Sequence, residues 1–73
     1  MYWENGHRWY SADIQQDLLG TWVLECRWGR IGSRATGGQR FLTDTEGEAR
    51  EIMETVKHRR LKRGYKLVCL DLV

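Results

Sequence analysis

Apolar and polar side chains alternate from residue 8 to residue 16, with Tyr10, Ala12 and Ile14 set against Ser11, Asp13 and Gln15. A period of two sends successive side chains to opposite faces, as in a half-buried strand. Asp17, Leu18, Leu19 and Gly20 then supply an acidic residue and a glycine in hairpin-loop positions, and residues 21–28 are rich in strand formers. A hairpin is therefore predicted. Parity places Trp22, Leu24, Cys26 and Trp28 on one face, which gives one of two readings of Trp28, a core tryptophan at the end of a strand; the other is a binding residue. Gly29 and Gly32 permit a bulge that re-aims their neighbours, so parity does not extend past Trp28. Residues 31–38 read as a glycine-bounded loop with Arg34 near its tip. Residues 39–42 read as a short third strand running back along the second, with Phe41 or Leu42 inward.

The pattern then changes period. Thr45 followed by Glu48 has the spacing of a capping box, and Ala49, Ile52, Met53 and Val56 recur at helical intervals, predicting a helix over 46–63. Gly64 fits the left-handed residue that ends it. Beyond it, residues 66–73 are nearly continuously apolar, as expected of an inserted core strand or, alternatively, a dimer contact. Residues 1–6 show no clear period. Asn5 and Gly6 suggest a turn or a loose lead-in, and Trp3 reads as a ring laid over an exposed edge of the core rather than as a binding residue. The expected architecture is α+β, a small twisted antiparallel sheet of about four strands with one helix packed across one face.

With 73 residues, residues 1–73 form one domain on this reading, and neither a linker nor an internal repeat divides them. A hydrophobic fraction of 41% with four tryptophans and three tyrosines is too apolar for a disordered tail. No apolar run approaches the roughly 20 residues of a membrane span, and the N-terminal residues do not resemble a secretory signal, so a cytoplasmic location is expected. Cys26 and Cys69 lie in strand-like apolar runs and read as buried thiols rather than a disulfide. With only His7 and His58 beside them, no metal site is implied, and no cofactor is expected.

Charge alters this picture because it is unevenly placed. The net charge is only +2, yet residues 26–43 hold four arginines (Arg27, Arg30, Arg34 and Arg40) and no carboxylate. A second basic run, Lys57, Arg59, Arg60, Lys62 and Arg63, closes the helix, with Lys66 just beyond it, while Glu46, Glu48, Glu51 and Glu54 crowd its start. That order suits the helix dipole, which accounts for one or two cations; the rest leave room for a second binding surface that includes Arg60 and Arg63. Catalysis is not indicated. The glycine loop lacks the Gly-Lys-Ser/Thr ending of a phosphate-binding loop, and no cysteine and histidine are neighbours in sequence. Neither an enzyme nor a small-molecule substrate is expected. Indole, guanidinium and glycine within a dozen residues instead suit a nucleic-acid strand: Trp28 for stacking, Arg27, Arg30, Arg34 and Arg40 for phosphates, and Gly29 for close backbone approach. About two to four phosphate contacts would give a log–log salt slope of about −2 to −4 on duplex DNA.

Trp28-Gly29-Arg30-Ile31-Gly32, then Gly38-Gln39, Phe41 and an alanine-containing helix that closes on Lys62-Arg63-Gly64-Tyr65, resembles the WGR domain over roughly residues 8–65. That module occurs beside the catalytic region of DNA-dependent poly(ADP-ribose) polymerases and, alone or fused, in bacterial proteins. The resemblance implies a stand-alone, non-catalytic module that binds DNA ends or breaks. Trp28 would stack on the terminal nucleotide, and Arg30 would organise contacts between DNA and neighbouring domains. The chain has neither zinc-finger cysteines nor room for an ADP-ribosyl transferase domain, so that signalling role is not implied. The alternative is a protein-interaction adaptor that docks through the same tryptophan and arginines, residue types enriched in binding hot spots.

Overall fold

The computed structural model describes residues 1–70. Its elements run β1 (Tyr2–Asn5), β2 (Arg8–Gln16), β3 (Trp22–Arg30), β4 (Ala35–Thr43), α1 (Glu46–Lys62) and β5 (Lys66–Cys69). The strands form one antiparallel five-stranded sheet in the order β4-β3-β2-β1-β5, with the single helix packed on it. The fold is α+β.

The β2–β3 turn sets the register on which the rest depends. Asp17 Oδ1 accepts from the backbone N–H groups of Leu19 and Thr21, both at 2.9 Å, and Gly20 takes a φ of +87°, which a side-chain-bearing residue adopts only with strain. Gln16 thereby faces Trp22, and unbroken pairing continues to Tyr10 opposite Trp28 and Arg8 opposite Arg30. The alternation read from the sequence survives: Tyr10, Ala12, Leu24 and Cys26 are buried toward the helix, where Met53 and Val56 meet them.

Three expectations need correction. Residues 2–5 are not a loose lead-in but the interior strand β1, paired with β2 on one side and β5 on the other. Trp3, its inward residue, is 0% exposed and lies in the core rather than over its edge. The β3–β4 loop is shorter than expected, because β4 begins at Ala35 and takes in Gly37 and Gly38; the connection needs only residues 31–34, with Gly32 at a φ of +86°. A bulge does follow Trp28, for the register steps from Gly37 opposite Trp28 to Ala35 opposite Gly29. Finally, β5 is an outer edge strand, not an inserted core strand, with Leu67 and Val68 exposed in it and Leu70 exposed just after it. Residues 71–73 of that expected strand lie outside the described residues.

The helix starts and stops as its sequence dictates. Thr45 Oγ1 accepts from the Glu48 backbone N–H at 3.2 Å, and Ala49, Met53 and Val56 form its buried stripe. At the other end Arg63 is the cap residue and Gly64 takes a φ of +86°. Tyr65 N–H donates to Arg60 O at 3.0 Å and Gly64 N–H to Leu61 O at 3.1 Å. This paired return is a Schellman motif, and it turns the chain sharply into β5. The last helical turn and its arginines are thereby held beside the end of the β2–β3 hairpin.

Candidate nucleic-acid interface

Pairing between β2 and β3 brings Tyr10 and Trp28 side by side on the helix-facing side of the sheet. Their rings stack with centroids 5.6 Å apart and planes 8° from parallel. Across the next ladder Trp28 faces Gly37, and a Cβ there would fall inside van der Waals contact with indole atoms Nε1, Cε2 and Cζ2. The ring thus lies over a stretch of β4 that carries no side chain. Trp28 is half-buried, packing on the core with part of its surface and lining an open cleft with the rest.

The cleft has a volume of about 550 Å³. Tyr10 and Trp28 form its floor, and Thr36 and Gln39 of β4 lie to one side. Arg8 and Arg30 come from the paired ends of β2 and β3, Arg59, Arg60 and Arg63 from the helix end, and Tyr65 from the segment after it. The Arg60 guanidinium stands 4.3 Å from the Tyr10 ring centroid and 5.2 Å from that of Tyr65, a cation–π arrangement that fixes the planar group above the floor. Its Nε is buried with no hydrogen-bond partner among the described residues. Among the described residues no carboxylate lines the cleft, and none of its five arginines forms an ion pair. Three of the helix-end cations, Arg59, Arg60 and Arg63, thus line the cleft.

Burial dominates the ionisation of the floor. It pushes the Tyr10 phenol well above its usual value, assisted by the neighbouring Cys26 thiol and opposed by Arg60 and Arg59. Burial likewise raises Cys26, against a hydrogen bond from Tyr10 and the charge of Arg60. Both groups stay neutral near pH 7, so the positive field over the cleft is not offset from below.

The arginines grouped in sequence part company in space. Arg30 reaches the cleft, but Arg27 and Arg40 project from the opposite face, where each meets Glu25: Arg27 Nη2 lies 2.6 Å from Oε1, and Arg40 Nε 3.6 Å from Oε2. The hairpin does not present its arginines together. Arg34 is exposed at the β3–β4 turn and does not line the cleft. Gly29 does line it, and for a steric reason: a Cβ there would sit 2.9 Å from Arg34 O and 3.2 Å from Trp9 Nε1. Trp9 Nε1 donates to Arg30 O at 2.9 Å and so holds the end of β3 against β2. Arg60 and Arg63 are both cleft residues. Arg8, Tyr10, Arg59 and Tyr65 were not singled out by sequence. The register could have found Arg8 and Tyr10, since a hairpin centred on Leu19 pairs them with Arg30 and Trp28.

A protein-family model described as the WGR domain matches residues 2–69, nearly the whole chain. The chain belongs to the WGR domain family. WGR domains are non-catalytic modules that bind nucleic acid or serve in interactions. Comparison with curated proteins and with solved structures gave no match. Within this WGR domain the eponymous tripeptide, residues 28–30, supplies a floor residue, the glycine of the tight hairpin end and a wall arginine of one cleft. Among the described residues no helix is long and apolar enough to cross a membrane.

Proposed function

We propose that this WGR domain binds DNA at ends or breaks, and that the cleft over Tyr10 and Trp28 is where it does so. One observation carries the reading: five arginines without acidic partners among the described residues surround a stacked aromatic floor. A terminal base has a π-face to lay against the exposed part of Trp28, while Arg30, Arg59, Arg60 and Arg63 are placed to meet the adjoining phosphates. Arg60 is the preset member, because its stacking on Tyr10 and Tyr65 leaves it little freedom to lose. Arg34, at the hairpin tip, is placed for an outlying phosphate contact. Gly29 acts through the backbone. Arg27 and Arg40 belong to a different surface.

The second reading is a protein adaptor that uses the same surface. It draws on the burial of Trp28, whose ring is packed on the core and offers only part of itself to a base. Fluorescence anisotropy of a labelled blunt duplex, competed by the same linear duplex and by closed-circular DNA at two salt concentrations, separates the readings. End binding requires the linear competitor to win per base pair and affinity to fall with salt along a slope of about −2 to −4. Equal, weak competition by both forms, or a salt-insensitive signal, would favour the adaptor.

A further inference from the structure

The face of the sheet turned away from the helix holds a recess of about 550 Å³ that neither reading of the cleft uses. Cross-strand register builds it: Ser11 lies between Tyr2 of β1 and Arg27 of β3, and further along β2 Asp13 faces Glu25. Tyr2 and Trp9 stack with centroids 6.2 Å apart and planes 23° from parallel. Their polar tips are engaged, since Tyr2 Oη donates to Glu4 Oε2 at 3.0 Å and Trp9 Nε1 to Arg30 O at 2.9 Å. What the pair offers the recess is ring surface. Ser11 is 7% exposed and lines the recess, yet among the described residues its hydroxyl has no hydrogen-bond partner. A buried hydroxyl in that condition has lost its bonds to water, so a ligand that donates to it restores what folding left unmade.

The charges around this recess are unequally compensated. Asp13 and Glu25 are directly opposite across the β2–β3 ladder, where like charges repel. Glu25 is occupied, by Arg27 on Oε1 and by Arg40 on Oε2. Among the described residues Asp13 has only the Met1 ammonium group, which lies 3.4 Å from Oδ1 and is held more closely by Ala12 O at 2.6 Å. Arg27 also lines the recess, but it is tied to Glu25 and largely exposed, so its charge is both paired and screened. The charge left over is negative. Asp13, Ser11 and Gln15 all supply oxygen acceptors. A guanidinium matches them with five donors, no acceptor and a plane that stacks on aromatic rings, whereas an ammonium has no such plane. The chain itself holds a guanidinium in this manner on the other face, where Arg60 lies over Tyr10 and Tyr65.

We propose that this recess binds an arginine side chain of a partner protein, with the guanidinium laid on the Tyr2–Trp9 pair and donating to Asp13 and Ser11. The assignment does not depend on what the cleft binds. Because the recess and the cleft open on opposite faces of one sheet, both can be filled at once, and the domain then joins a basic protein segment to whatever lies over Trp28.

The test uses the full chain with N-acetyl-L-arginine amide as the probe, at constant ionic strength, and N-acetyl-L-citrulline amide as its uncharged isostere. NMR titration should show saturable shifts at the Trp9 indole N–H and at the Ser11 and Asp13 amides, with the Trp28 indole unmoved and the citrulline compound weaker by about fivefold or more. Asp13→Asn should weaken binding of the arginine compound by about fivefold and Ser11→Ala by about threefold, while the α1 amides keep their wild-type positions and so report an intact fold. No saturable shift in the wild type, equal binding of the citrulline compound, or wild-type affinity in both variants would overturn the proposal. So would a duplex DNA titration that moves the Ser11 and Asp13 amides, since the recess would then be a nucleic-acid surface. Sedimentation equilibrium covers the remaining occupant: self-association that is lost in Asp13→Asn would assign the recess to an arginine of a second copy and overturn a separate partner.

Discussion

The two faces of the sheet carry arginines in opposite conditions. Toward the helix, Arg8, Arg30, Arg59, Arg60 and Arg63 surround stacked rings with no carboxylate among the described residues near them; on the far face, Arg27 and Arg40 share Glu25. Distance along the chain does not separate these groups, since Arg27 and Arg30 are three residues apart. Pleat and register do. An arginine cluster in sequence is therefore weak evidence for a binding surface until the side of each residue and the nearest acid are known.

The contrast can be broken or sharpened by substitution. The largest effect is expected from reversing charge on one face at a time. Arg59→Glu combined with Arg30→Glu should weaken duplex binding by about 100-fold in an anisotropy titration, whereas Arg27→Glu should stay within about threefold of the wild type. Equal losses would dissolve the distinction. Next come the adjacent glycines of β4. Gly37→Ala forces the indole off its seat and should cost about 1–3 kcal/mol in urea unfolding, with a loss of duplex affinity. Gly38→Ala points to the other face, where its Cβ meets Cys26 O at 3.1 Å and Arg27 Cγ at 3.8 Å, and should cost less than Gly37→Ala and spare binding.

A smaller effect should appear with pH. Tyr10 and Cys26 hold their protons more tightly folded than unfolded, so above their ordinary values of 10.0 and 9.0 the unfolded chain releases protons that the folded chain retains. Their contribution to stability is complete below about pH 8 and declines as pH rises past 9 and then 10. Urea midpoints measured from pH 7 to pH 11 should fall on the alkaline side, and the fall should be shallower in Tyr10→Phe. The smallest change is expected from Glu25→Gln. Its two ion pairs involve exposed arginines, so stability should move by no more than about 1 kcal/mol. Freed Arg27 and Arg40 should nevertheless strengthen weak binding to closed-circular DNA about two- to fivefold. Unchanged binding would mean that the ion pairs with Glu25 do not hold Arg27 and Arg40 back from DNA.

Much of the fold was legible because local pattern and tertiary demand agree. Alternation marked β2, strand-forming residues marked β3, and the Thr45 cap with its apolar stripe marked α1. Strand β1 was hidden by its length: four residues with one buried side chain, Trp3, give too little period to detect. Gly37 misled for a different reason. Glycine usually signals a connection, but here it makes room for an indole at the pair that borders the bulge, a demand visible only in the folded sheet. In the cleft, Trp28, Arg30, Arg60 and Arg63 could be named because tripeptide and basic helix end stand out in sequence. Arg8, Arg59, Tyr10 and Tyr65 depend on cross-strand register and on where the helix stops. Arg27 and Arg40 part from Arg30 because the pleat turns them to the far face, where Glu25, just outside the carboxylate-free stretch, lies inside ion-pairing distance.

The seat of Trp28 also bears on the thermodynamics of any ligand that lands on it. A freely rotating aromatic platform must surrender rotamer freedom on binding, at about 0.5–1.5 kcal/mol for each immobilised side chain. With Tyr10 stacked beside the indole and the bare backbone of Gly37 beneath it, that freedom is surrendered during folding instead. Calorimetry of the intact domain should then show little of the ordering entropy that a flexible stacking residue contributes, and the missing methyl of Gly37 becomes, in effect, part of the affinity.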